Sequence, residues 1–422
     1  MKERIALLTY STKPRGGVAH TLALGEALHA DGVDVRVVTL GDPDVGFYRP
    51  VAVPTVIVPA PPKLDTLEER VFASIAALEA GLRELADDVD LFHAQDCISA
   101  SAAARVRDAG VNVPVFRTVH HVDDFTTEAL IKCQTRAIEE PNRVFVVSEH
   151  WRELLRTEYG VEASVVPNGV DFARFAGVGD ARRAELRARA GVRDQFLFLS
   201  VGGIEPRKGS AFLIAAMGEL RATLTPPPVL AVVGGQSFQD YRAYREATLA
   251  QAAGVGLDLG RDIVLLGTVD DEEMPHWYRA ADALAFPSTK EGWGLAILEA
   301  QAAGLPVVSS DLPVFHEFLT DGVDAVMAPV GDARALAAAM REIVEDEQLR
   351  RRLANNGHAV AQRYSWAQSA ARHAEIYRAA LTDVWSWPAG RAASSAPRSR
   401  TPVSVTTPRV ISESSSASCQ HR

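Results

Sequence analysis

The chain has 422 residues, 47% of them hydrophobic and 23% charged, with a formal net charge of −10 and a pI near 5.6. Such a length exceeds what one hydrophobic core organises, so two domains are expected. The acidic balance argues against a nucleic-acid binder, which carries a basic footprint, and no uninterrupted apolar run is long enough to span a bilayer.

Met1-Lys2-Glu3-Arg4 leads directly into a strand without an apolar signal segment. The three cysteines, Cys97, Cys133 and Cys419, are far apart and in no metal-ligand spacing. Both features point to a reducing, cytoplasmic setting.

Residues 5–10 read as the first buried strand. A turn through Gly16-Gly17 is expected to lead into an amphipathic helix over 18–30, and a second strand over 35–40. The segment Lys13-Pro14-Arg15-Gly16-Gly17 is not a G-x-G-x-x-G fingerprint, which disfavours a dinucleotide site of the dehydrogenase type. Residues 47–64, rich in Pro and Val, are assigned to a variable acceptor-facing surface. Apolar runs recur at 90–93, 113–119 and 143–148 with helical stretches between them, predicting a parallel sheet covered on both faces. Asp88-Val89-Asp90 has the spacing of a metal element, but it precedes a buried strand, where an aspartate is an ordinary surface residue; no metal is assigned. Val119-His120-His121 closes one strand, with His121 placed to orient His120, whereas His20, His93, His276 and His316 are read as structural.

After Val165-Val166-Pro167-Asn168-Gly169-Val170-Asp171, which supplies turn chemistry, the pattern begins afresh. Runs at 196–201, 229–234, 263–267, 283–286, 307–310 and 325–328 predict a second parallel sheet. The expected organisation is therefore α/β: two doubly wound, Rossmann-like domains, 1–170 and 171–365, facing a cleft, then a helix over 366–387 and a disordered tail over 388–422 that is rich in Ser, Ala, Pro and Arg. The arginines of 182–189 form a basic helix face, read as solvated rather than as a contact with an anionic membrane.

Ligands of open α/β sheets bind beyond the carboxyl ends of the strands, and the chemical candidates fall there. Gly203-Ile204-Glu205-Pro206-Arg207-Lys208-Gly209 follows the strand at 196–201, and Arg207 and Lys208 suit a diphosphate, one as a bidentate fork and the other as a point charge. Pro287-Ser288-Thr289-Lys290-Glu291-Gly292-Trp293-Gly294-Leu295 then joins a strand to a helix over 295–303. Glu291 precedes the first turn and Glu299 lies inside the helix, roughly 12 Å further on at a rise of about 1.5 Å per residue. Between them the amides near Gly292, Trp293 and Gly294 would face an anion. The spacing suits a nucleotide sugar: one carboxylate for the sugar, amides for the phosphates and one carboxylate for the ribose.

This block, Glu291-Gly292-Trp293-Gly294-Leu295-Ala296-Ile297-Leu298-Glu299 followed by Gly304-Leu305-Pro306-Val307-Val308, resembles the Glu-x7-Glu signature of the retaining family 4 glycosyltransferases of the GT-B fold, with Trp293 where Phe is usual. The resemblance implies roles residue by residue. Arg207 and Lys208 would hold the donor phosphates, Glu291 the sugar hydroxyls and Glu299 the ribose. His120 would reach the transferred sugar, and Gly16 and Gly17 would let backbone amides approach donor or acceptor. The base would lie near Leu266 and Val269, and the final helix would cross back onto the first domain. It also implies retention of configuration, a nucleotide-diphosphate sugar as donor, no cofactor and no metal. Glu317 is given a structural role. The acceptor, the base and the sugar are not legible. Another GT-B enzyme, a sugar phosphorylase or nucleotide-sugar epimerase, and a non-catalytic nucleotide-sugar binder are the alternatives.

Overall fold

The computed structural model describes residues 3–384 except 236–238 and 240. The tail expected over 388–422 and Cys419 lie outside the described residues.

The first sheet is built from β1 (Arg4–Thr9), β2 (Asp34–Gly41), β3 (Thr55–Pro59), β4 (Leu91–Ala94), β5 (Val115–Val119), β6 (Arg143–Val146) and β7 (Ala163–Val165). Its seven strands lie in the order β3-β2-β1-β4-β5-β6-β7, and every neighbouring pair is parallel. Ile5 stands opposite Val35 on one side and Leu91 on the other. The second sheet holds β8 (Leu197–Val201), β9 (Val229–Val233), β10 (Ile263–Gly267), β11 (Ala283–Phe286), β12 (Val307–Ser310) and β13 (Val326–Ala328). Their order is β10-β9-β8-β11-β12-β13, again wholly parallel.

β3 and β7 were not expected from the sequence. β3 is half-exposed along its centre and falls inside the Pro-rich stretch read as acceptor surface, and β7 has only three residues. The glycines expected to form a turn, Gly16 and Gly17, instead open the helix Gly16–Ala30. Its preceding residue, Arg15, is extended and gives no side-chain cap, so the helix starts earlier than its apolar periodicity suggests.

In each sheet the chain first winds outward in one direction and then returns to the centre to wind in the other. The returns place β4 beside β1 and β11 beside β8. Loops leaving such neighbouring strands diverge to opposite faces, which opens a notch at their carboxyl ends. One notch lies at residues 10–15 and 95–96, the other at 202–209 and 287–294.

Apolar side chains cover both faces of both sheets. On one face of the first sheet Leu7, Leu22, Phe116 and Phe145 share a cluster with Ala370, Ala374 and Tyr377 of the last helix, Trp366–Val384. That stripe of small residues and one tyrosine has helical spacing, and it seats this helix on the first sheet. Both sheets and this helix through Leu381 form one compact unit; of the second unit, Thr382–Arg422, only the last turn of the helix is described. The two halves are linked where Val170 pairs with Ser365 and its N–H donates to the Tyr364 carbonyl at 3.1 Å.

Tyr377 anchors the docked helix through its hydroxyl, 2.6 Å from Nδ1 of the buried His93, whose Nε2 lies 2.9 Å from Thr118 Oγ1. Removing one partner of a buried hydrogen bond leaves the other unsatisfied. Tyr377→Phe is therefore expected to cost about 1–3 kcal/mol of stability, measured as a lowered urea midpoint; an unchanged midpoint would show that the helix does not depend on this contact.

Candidate active site

The notch of the second sheet gathers charge. Lys208 Nζ lies 2.6 Å from Glu291 Oε1, and Arg207 Nη1 reaches the same oxygen at 3.4 Å. Ser288 Oγ donates to it at 2.8 Å. Arg207 also stands 3.3 Å from the buried carboxylate of Glu205. The Lys208 ammonium lies 4.6 Å from the centre of the Phe286 ring, a cation–π contact that helps a cation leave water. Burial opposes the charge on Glu291, yet Lys208 and Arg207 hold its carboxyl below the ordinary carboxylate value. The site thus contains an ionised glutamate between two cations.

Backbone geometry explains why these loops meet. The short helical turn Pro206–Lys208 ends at Gly209, at φ 66°, and a Cβ there would sit 1.9 Å from the Pro287 carbonyl oxygen. Only glycine combines that left-handed conformation with so close an approach. The loops are further joined by the Thr289 N–H donating to the Arg207 carbonyl at 2.8 Å.

Gly292, Trp293, Gly294 and Leu295 run from Glu291 into the helix Leu295–Ala302. Among the described residues no protein group accepts from the N–H groups of Gly292, Trp293 or Gly294. The Trp293 indole packs on Phe318 and Tyr364, at 4.9 and 5.5 Å between centroids, so Trp293 offers the cleft its backbone rather than its ring. Glu299 accepts from the Tyr278 hydroxyl at 2.7 Å and has no cation of its own within ion-pair distance among the described residues. Burial pushes its carboxyl up to about 7 against that hydrogen bond. Leu266 and Val269, at the end of β10, pack on the same apolar cluster as Tyr278 and Leu298.

The first domain meets this loop directly. A Cβ on Gly292 would lie 1.9 Å from the His120 carbonyl oxygen, and Trp151 Nε1 donates to the Glu291 carbonyl at 2.9 Å. Lys290 Nζ is 2.8 Å from Asp124 Oδ1. His120 is oriented by Gln95 Oε1 at 3.2 Å from its Nε2 and by the edge of the His20 ring, 4.5 Å away between centroids. Burial pushes its imidazole down to about 3, so it is neutral throughout the physiological range. His121, expected to orient His120, turns instead toward Asp123, 3.4 Å from its carboxylate. His20, read as structural, is fixed by Asn168 Oδ1 at 2.8 Å. Gly17 lies near the same ring, a Cβ there falling 3.9 Å from His120 Cδ2, whereas Gly16 would meet nothing within 4 Å.

Two sequence readings resolve plainly. Glu317 caps the helix Glu149–Leu154 of the first domain, its two carboxylate oxygens each 2.9 Å from the N–H groups of Glu149 and His150. The basic face at 182–189 is internally neutralised, Arg183 and Arg187 by Asp282, and Arg182 and Arg189 by Glu273, which leaves little free charge for an anionic surface. Ser288, Glu205 and Asp123 were not singled out from sequence. Only the neighbourhood of Glu205 and Ser288 to the two motifs could have pointed to them.

Comparison with known proteins agrees with this geometry. Residues 14–174 match the Glycosyltransferase Family 4 model and residues 182–360 the model for Glycosyl transferases group 1. A phosphatidyl-myo-inositol mannosyltransferase of Mycolicibacterium smegmatis is 32% identical over 376 residues, covering 87% of this chain and 91% of that protein. A D-inositol 3-phosphate glycosyltransferase of a Nocardioides species is 27% identical over 420 residues, 90% and 91% of the two chains. Among solved structures, sucrose-phosphate synthase from Thermosynechococcus elongatus superposes with a TM-score of 0.75 at 25% identity, over 90% of this chain and 100% of that one. The Anabaena HepE protein, solved with UDP and glucose, gives 0.74 at 22% identity, over 89% and 99%. The two facing parallel-sheet domains are the GT-B architecture. The chain belongs to glycosyltransferase family 4 and is a glycosyltransferase.

Because Gly292 lies against the His120 carbonyl, Gly292→Ala should force the two lobes apart there. The expected cost is about 1–3 kcal/mol, the usual range for overpacking, read as a lowered thermal midpoint; an unchanged midpoint would mean that the loops part freely in solution.

Proposed function

We propose that the protein moves a glycosyl group from a nucleoside-diphosphate sugar to an acceptor hydroxyl with retention of configuration. The observation that carries this reading is the convergence of Arg207, Lys208 and Glu291 in the notch between β8 and β11. In this reading the diphosphate lies against the two cations and the amides of Gly292, Trp293 and Gly294, the sugar hydroxyls on Glu291, and the ribose on Glu299. Leu266 and Val269 support the base. His120, made a weak base by burial, serves as a hydrogen-bonding group for the transferred sugar rather than as a proton acceptor.

The acceptor oxygen bonds to the anomeric carbon as the bond from that carbon to the diphosphate oxygen breaks. The electron pair leaves with the diphosphate, whose oxygen on the same face takes the acceptor proton. The developing charge falls on Arg207, Lys208 and the amides, preorganised donors of the kind that stabilise such a transition state. This neutralisation supports a reaction that requires no metal and no cofactor. Relatives named for inositol-bearing acceptors favour a polyol hydroxyl as the nucleophile.

Calorimetric titration of UDP and GDP tests the donor site. One of the two is expected to bind, and Lys208→Ala to weaken it by about tenfold or more, the scale of one charge-assisted hydrogen bond; unchanged affinity would move the phosphates elsewhere. Glu299 gives a second test. Its carboxyl is protonated below about 7 and ionised above it, and the carboxylate is the stronger acceptor of ribose hydroxyls. Affinity should therefore rise severalfold (about three- to tenfold) between pH 6 and 8, and Glu299→Gln should remove that part of the rise. A rise of equal size in the variant would assign it to the phosphate instead.

A further inference from the structure

Asp123 is a carboxylate that the acceptor-side domain carries up to the donor cations, and the donor chemistry does not require it. It follows β5 by four residues, in the loop that begins with His120. One buried side chain grips its backbone at both ends. Gln134 Oε1 accepts from the Asp123 N–H at 2.8 Å, and Gln134 Nε2 donates to the Asp123 carbonyl at 2.9 Å. A two-point support of this kind fixes where a loop side chain points. The carboxylate accepts from Gln239 Nε2 of the second domain at 2.9 Å, pairs with His121 at 3.4 Å, and lies in the field of Arg207 and Lys290. Its side chain keeps 31% exposure, enough to be reached.

A second observation comes from the groups around it. Gln95, 3% exposed and in contact with His120, has a buried Nε2 with no acceptor among the described residues. Arg117, 4% exposed on β5, likewise keeps Nε and Nη1 without acceptors among the described residues, and Asp96 and Asp123 are the carboxylates whose field it feels. Buried donors ordinarily have partners. Gln95 lies just past the carboxyl end of β4 and Arg117 in the middle of β5, the strand that leads into the Asp123 loop.

We infer that Asp123 is a specificity-determining residue for the acceptor: it takes a hydrogen bond from a hydroxyl adjacent to the one that reacts, while the Gln95 amide donates to a neighbouring oxygen, so that the acceptor is an uncharged polyol with vicinal hydroxyl groups. The inference rests on the glycosyl-transfer reading. A carboxylate at this point disfavours a phosphate on the same edge of the acceptor, since like charges in a partly buried cleft repel.

Asp123→Asn keeps the shape and the oxygen that accepts from Gln239 but removes the charge. The test uses the full chain, UDP-glucose and GDP-mannose as donors, and myo-inositol, glycerol and sorbitol as acceptor probes, with products read by mass spectrometry. In the variant, affinity for the nucleoside diphosphate should stay within about twofold, kcat should change little, and the KM for the polyol should rise about tenfold or more. Gln239→Ala, which removes only the contact across the cleft, should move that KM by less than about threefold. An Asp123→Asn variant with wild-type acceptor KM overturns the inference, as does a Gln239→Ala variant with the same defect, which would reduce Asp123 to a clasp. A wild-type protein that binds a nucleoside diphosphate yet glycosylates none of the polyols overturns the polyol assignment alone. Failure to bind any nucleoside diphosphate overturns the glycosyl-transfer reading itself.

Discussion

Two cations on consecutive residues, Arg207 and Lys208, stay together in a largely buried notch because Glu291 stands between them and holds both. A buried charge without a partner is costly, and a pair of like charges more so. The carboxylate comes from a different loop, more than eighty residues along the chain, and it arrives there because β8 and β11 are neighbours in the second sheet. Gly209, pressed against the Pro287 carbonyl, sets how closely the loops approach. The winding of the sheet, one glycine and one ion pair are therefore a single constraint, and the amide-lined start of the helix Leu295–Ala302 is positioned by it.

The loop that carries Glu291 also carries the contacts to the other lobe. Lys290 reaches Asp124, the Glu291 carbonyl accepts from Trp151, and Gly292 lies on the His120 carbonyl. Glu317 adds a contact further along by capping a helix of the first domain. The charge cluster and the contacts between the lobes are thus built on the same few residues. A ligand that shifts Glu291 also shifts the surface on which the first domain rests, a link between binding and closure of the kind on which lid motions depend.

Much of this was legible in the sequence because the second half is written locally. Strand, loop and helix follow one another in the block around Glu291, and the cationic turn at Arg207 follows its strand directly. Such short-range patterns can be read in order. What escaped depends on contacts between distant segments. His20 supports the His120 ring only because the helix Gly16–Ala30 passes beside the end of β5, and His121 turns to Asp123 because a buried Gln134 holds that loop. β3 and β7 were missed for a simpler reason: both are half-exposed strands at the sheet edges, β3 with its apolar run Val56-Ile57-Val58 set inside a Pro-rich stretch and β7 with only three residues. The basic face at 182–189 looked like free charge because its partners, Glu273 and Asp282, lie far along the chain.

The pairing of Val170 with Ser365 has a mechanical consequence. The chain passes between the lobes at two points, and those points are side by side and hydrogen-bonded to each other. The connection is thus narrow, an isolated bridge between two adjacent segments of the chain. A hinge movement of the lobes would turn about that line. Displacement in such a turn grows with distance from the line, so residues beside Val170 and Ser365 would move least.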